Sequence, residues 1–167
     1  MNRRSFPLIL SIFISFVLLA GGNAWAQQAN LDAPLKKVTL PSKSWTFKTP
    51  EKKHQRIIHP IKIGQAVNIR VHTYDVPVSA KAFIEQVRVK IIQKPDYKGA
   101  EVQLVKPKDV KGKTWDTFNI RRKDEINQQI WAIKPAPNVV LMVIYTGAGA
   151  YYNEYHNDLM TLLKKLS

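Results

Sequence analysis

The chain has 167 residues, with 26 lysines and arginines against 12 aspartates and glutamates, a net charge of +14 and no cysteine. The missing thiols exclude disulfides, cysteine nucleophiles, lipidation on cysteine and cysteine-ligated metal. The length admits one domain with a core of its own, since domains commonly run to about 100 to 150 residues.

Residues 1–26, "MNRRSFPLILSIFISFVLLAGGNAWA", join a cationic start at Arg3 and Arg4 to an apolar stretch from Leu8 to Ala20 and small residues at Ala24 and Ala26. This pattern predicts a secretory signal peptide cleaved between Ala26 and Gln27. Its apolar stretch is shorter than the roughly 20 residues a spanning helix needs. The mature chain is therefore expected to be soluble and exported, either periplasmic or secreted. "RRSF" brushes against a twin-arginine address, but the strongly apolar core favours the general secretory route.

From Gln27 to Ser44, Pro34, Pro41 and the pair Lys36–Lys37 stand in a stretch with little periodicity, read as a flexible lead-in. The domain is then predicted over residues 45–167. A short strand is expected within 54–63. "VNIRVHTY" at 67–74 alternates, with Val67, Ile69 and Val71 on one face and Asn68, Arg70, His72 and Tyr74 on the other. Ser79 is placed to cap a helix over 80–93, in which Ala80, Phe83, Ile84, Val87 and Ile91 share an arc of about 100°.

Alternation predicts further strands near 100–106, 114–122 and 127–134, with the turn-rich "KPKDVKGK" (Lys106 to Lys113) as an exposed hairpin tip. "VVLMVIY" at 139–145 is apolar throughout and predicts a central strand covered on both faces. A closing helix over 151–166 places Tyr152, Tyr155, Leu159, Leu162, Leu163 and Leu166 on one side. The predicted class is α+β: a mostly antiparallel sheet of about six strands with two main helices, in the order β-β-α-β-β-β-β-α.

Enzymatic signatures are weak. Gly147 and Gly149 stand between a strand and a helix, but Tyr152 occupies the third position of a dinucleotide fingerprint, so the reading is a plain turn. His54, His59, His72 and His156 match no zinc spacing, and no cofactor or metal is expected. The serines beyond the leader (Ser42, Ser44, Ser79, Ser167) sit at fringes, a cap and the terminus, with no nucleophile motif around them. Asp124 and Glu125 are neighbours in a turn, unsuited to paired-carboxylate chemistry.

Charge and a wet sheet face are the better candidates. Residues 90–113 carry Lys90, Lys94, Lys98, Lys106, Lys108, Lys111 and Lys113, with Arg121, Arg122 and Lys123 further on. Beyond the leader stand 19 lysines and five arginines. Lysine is a hydrated point charge and arginine the planar fork of specific recognition, so this balance argues for diffuse attraction to an anionic surface and against a sequence-reading nucleic-acid site. Arg70, His72 and Tyr74 of one strand, with Trp115 and Asn119 of another, are expected to present a contact face.

The element order, with the helices "SAKAFIEQVRVKII" and "YYNEYHNDLMTLLKKL", resembles the PsbP/Mog1-like superfamily over about residues 40–167. The resemblance implies an accessory or binding domain and transfers no functional residue. The expectation is thus an exported non-enzymatic domain that engages an anionic partner: lipid head groups, with peripheral membrane contact, envelope polysaccharide or an acidic protein. A small secreted hydrolase and a secreted factor acting on host membranes are the alternatives.

Overall fold

The computed structural model describes residues 30–49 and 53–167. The leader and its Ala26–Gln27 junction lie outside the described residues. Seven strands form one antiparallel sheet: β1 (Trp45–Phe47), β2 (Gln55–Pro60), β3 (Val67–Asp75), β4 (Glu101–Val110), β5 (Lys113–Arg121), β6 (Ile126–Ala136) and β7 (Val139–Ala148). Their spatial order is β1-β2-β3-β7-β6-β5-β4. Helices α1 (Asp32–Leu35), α2 (Ala80–Ile92), α3 (Tyr151–Glu154) and α4 (His156–Leu166) complete the α+β domain. Relative to the expected order, β1 is the additional strand. The closing helix is broken in two at Tyr155, where φ is −96° and ψ 7°.

The apolar run of β7 lies in the middle of the sheet, as its lack of alternation requires. Leu141, Val143 and Tyr145 face α4, together with Val67, Ile69 and Val71 of β3 and Trp131 of β6. Val140 and Met142 face α2, together with Phe118, Ile120, Ile130 and Ala132. Two hydrophobic layers therefore sandwich one sheet. In α4, Leu159, Leu162 and Leu163 are fully buried, and Trp45 Nε1 donates to Asp158 Oδ2 at 2.9 Å, which ties the edge strand β1 to this helix. Ser79 caps α2, its hydroxyl accepting from the Ala82 N–H at 3.1 Å.

Two expectations need correction. The lead-in is not free of the domain, because Leu35 and Val38 are 2% and 7% exposed within the α4-side core; α1 is only one turn long, too short for periodicity to announce it. The hairpin tip is also far shorter than residues 106–113. Strand β4 continues to Val110, and only Lys111 and Gly112 turn, with φ of 52° and 74°. Positive φ at both centres is the twist-matched two-residue turn of hairpins, and Asp109 Oδ1 accepts from Gly112 N at 2.8 Å. Lys106 and Lys108 thus belong to a strand at the sheet edge, with Pro107 between them and a register shift between Val105 and Lys108. Lysines, a proline and a bulge on an edge strand obstruct the addition of a further strand.

Gly147 serves packing. A Cβ there would stand 2.8 Å from Tyr152 Cα, so only glycine lets α3 lie directly on β7. Leu159→Ala removes a fully buried side chain and is expected to destabilise by about 2 to 5 kcal/mol in urea unfolding. Gly147→Ala forces α3 off the sheet and should lower the melting temperature, whereas Gly112→Asn, with open space around Gly112 and a side chain that tolerates positive φ, should be nearly neutral.

Candidate functional site

The register places the two predicted contact strips on opposite sides of the sheet. Arg70 pairs with Ile144, Ile144 with Ile130, and Ile130 with Phe118, so Arg70, His72 and Tyr74 lie on the α2 side. Asn119 pairs with Gln129 and Gln129 with Tyr145, so Asn119 and Arg121 lie on the α4 side. The two strips form no common face. Trp115 is withdrawn from contact altogether: it is fully buried, and its indole N–H donates to Ser167 Oγ at 2.9 Å. Tyr74 packs on Phe83 of α2 with ring centroids 4.9 Å apart.

The basic residues are divided as well. Strand β4 spans ten residues, a length of about 30 Å at 3.3 Å per residue. Lys90, Lys94 and Lys98 lie before its start and Lys111 and Lys113 beyond its end, so the stretch forms no single patch. Several members are engaged by the fold. Arg122 donates to both oxygens of Asp124, at 3.1 and 2.6 Å, and covers the Tyr97 ring at 5.3 Å. Lys123 lies over Gly99. Lys108 folds across the α4 side, its Nζ 5.6 Å from the Trp131 ring centroid. Burial, and secondarily the Lys108 charge, hold the His156 pKa below the ordinary histidine value, and His156 Nε2 lies 3.2 Å from Gln129 Oε1.

One end of the sheet is open and basic. There α1, the β6–β7 turn and the last turn of α4 enclose a cleft of about 520 Å³, within the usual range of ligand pockets. Pro34, Ala136, Pro137, Val139, Leu141 and Leu166 supply apolar walls, and Lys37 and Lys113 stand at its margin. Lys36 at the end of α1 and Lys164 in the last turn of α4, both exposed, flank these elements, and Lys165 donates to the Leu40 carbonyl at 3.1 Å. Of the predicted residues only Lys113 lines this cleft. Lys37 and the apolar walls went unassigned because the cleft joins segments about a hundred residues apart. The traces of it in the sequence are the Lys36–Lys37 pair beside Leu35 and Val38, and the prolines of "KPAPN".

The histidines are scattered, and among the described residues no three His, Asp or Glu side chains gather as a metal site would need. His72 has a different importance. Burial, and secondarily Arg70, lower its pKa to about 4; Gln55 Nε2 lies 3.3 Å from its Nε2, a bond in which the amide donates to an unprotonated ring nitrogen. The folded state therefore resists a proton that the unfolded chain accepts near pH 6.5. Stability is full above that pH and falls as pH drops toward 4, by about 2 to 3 kcal/mol after allowance for partial exposure. His72→Gln should flatten this part of the stability profile in urea titrations run from pH 7 to pH 4.

Comparison of the sequence with family models and with curated proteins finds no match. Comparison of the fold does: the solution structure of cyanobacterial PsbP (CyanoP) from Synechocystis sp. PCC 6803 superposes with a TM-score of 0.51 at 11% identity, covering 74% of this chain and 81% of that one. At this identity the likeness concerns the fold alone, and the chain has a PsbP-like topology.

Proposed function

We propose that the protein is an exported, non-enzymatic binding domain whose lysine-margined end cleft engages an anionic amphiphile, most directly the lipid head groups of a membrane surface. The observation that carries this reading is the pairing of apolar walls from Pro34, Val139, Leu141 and Leu166 with Lys37 and Lys113 at the cleft margin. Apolar walls accept a hydrocarbon segment, and ammonium groups at the mouth hold the charged head while remaining hydrated. The excess of lysine over arginine suits attraction to a charged surface more than recognition of a particular group. No helix among the described residues is long and apolar enough to cross a membrane, so contact by these residues is proposed at the surface. A PsbP-like topology supports an accessory role to the extent that fold can; function rests on the site.

Purified residues 27–167 should bind vesicles containing anionic lipid and leave them as salt rises, because the screening length contracts from about 10 Å at 0.1 M to about 3 Å at 1 M. Each lysine near such a surface contributes on the order of 1 kcal/mol. The double variant Lys37→Gln and Lys113→Gln should therefore bind at least about tenfold more weakly with an unchanged melting temperature. Equal binding by the variant, or equal binding to neutral vesicles, overturns the reading. Heparin run beside the vesicles separates a polysaccharide partner from a lipid one.

A further inference from the structure

At the opposite end of the α4 side the sheet is wider than the helices above it. Beside α3, the strands β4, β5 and β6 floor a groove of about 500 Å³ lined by Glu101, Gln103, Asn119, Arg121, Asn127 and Tyr152. A second depression of about 480 Å³ shares Arg121, Asn127 and Tyr152 and continues the groove past Asn153 and Gly149. The lining differs in kind from the rest of this basic protein: its charged groups are one arginine set opposite Glu101 in the strand register, with Glu125 in the continuation.

Three amides (Gln103, Asn119, Asn127) project from neighbouring strands on the same face, at the register positions Gln103↔Asn119 and, one step along, Arg121↔Asn127. Adjacent strands lie about 4.8 Å apart and alternate residues of one strand about 6.7 Å, so these groups are spread over the dimensions of a sugar ring. Asn119 is half-buried in the floor of the groove.

The chemistry discriminates among ligands. An anion meets Glu101 and Glu125 and a single guanidinium. A cation meets that guanidinium. An apolar molecule would strip water from five polar side chains and give nothing back. A carboxamide carries donors and an acceptor on one planar group, and a hydroxyl is likewise donor and acceptor, so adjacent amides match adjacent hydroxyls. Tyr152 supplies an aromatic wall for the apolar face of a ring. We infer that this groove is a glycan-binding site for a neutral, hydroxyl-rich oligosaccharide, separate from the basic cleft.

Cellohexaose, maltohexaose and chitohexaose, each titrated to millimolar concentration into the purified isotope-labelled protein, test it. At least one of the three should shift the side-chain amide resonances of Asn119, Asn127 and Gln103. Asn119→Ala and Asn127→Ala should each weaken that binding about tenfold, the effect of losing one buried hydrogen-bond partner, with thermal unfolding showing that both variants fold. The variant carrying Lys37→Gln and Lys113→Gln should bind the sugar as the parent does, which keeps this outcome distinct from that of the vesicle experiment. The inference fails when none of the three sugars moves these resonances, when both asparagine variants bind like the parent, or when heparin or an extended glycine-serine peptide moves them and the neutral sugars do not.

Discussion

A seven-stranded sheet must be covered on both faces by two helices that are too narrow for it. Seven strands at about 4.8 Å place the outer strands about 29 Å apart, while one helix is about 10 to 12 Å across with its side chains. The structure meets the shortage by offset. Helix α2 packs over β5 and β6, where Phe118, Ile120, Ile130 and Ala132 are buried. The α4 layer lies over β3, β7 and β6 and draws in β1 through Trp45. Strand β7, in the middle of the sheet, is covered on both sides, and the run "VVLMVIY" follows from that position.

The same offset decides where polar side chains stand. On the α2 side the strip that the helix does not reach falls on β3, where Arg70 and His72 take the place of core residues. On the α4 side it falls on the first half of β4 and the second half of β5, where Gln103, Asn119 and Arg121 stand. Both strips follow one rule: a strand beyond the reach of its helix keeps an apolar face toward the covered side and a polar face toward the water. The basic cleft is a further product of incomplete coverage, at the end where α1, the β6–β7 turn and the last turn of α4 meet without closing.

The lysines divide by the same geometry. Those of β4 sit on the exposed edge, where charge, Pro107 and the bulge keep another strand from pairing. Lys113, beyond its end, stands at the mouth of an apolar cleft. Identical residue types thus guard an edge in one place and border an apolar cleft in the other, and only position separates the two settings.

Local periodicity was sufficient for β3, β7, α2 and the Ser79 cap, because in each the side-chain pattern and the burial it produces lie within one short segment. It also sufficed for the α+β class and the PsbP-like order of elements. It could not show α1, whose single turn is held by Leu35 and Val38 against distant strands, nor the length of β4, whose lysines and proline read as a turn until pairing with β5 makes them an edge. The sequence by itself determined which strand faces are polar, since alternation alone sets that. Which side of the sheet each polar face occupies depends on strand order and on the placement of two helices, and these arise from contacts between residues far apart in the chain. Tertiary structure alone therefore decided that Arg70 and Asn119 lie back to back, that Trp115 is core, and that Lys37 and Lys113 meet at one cleft.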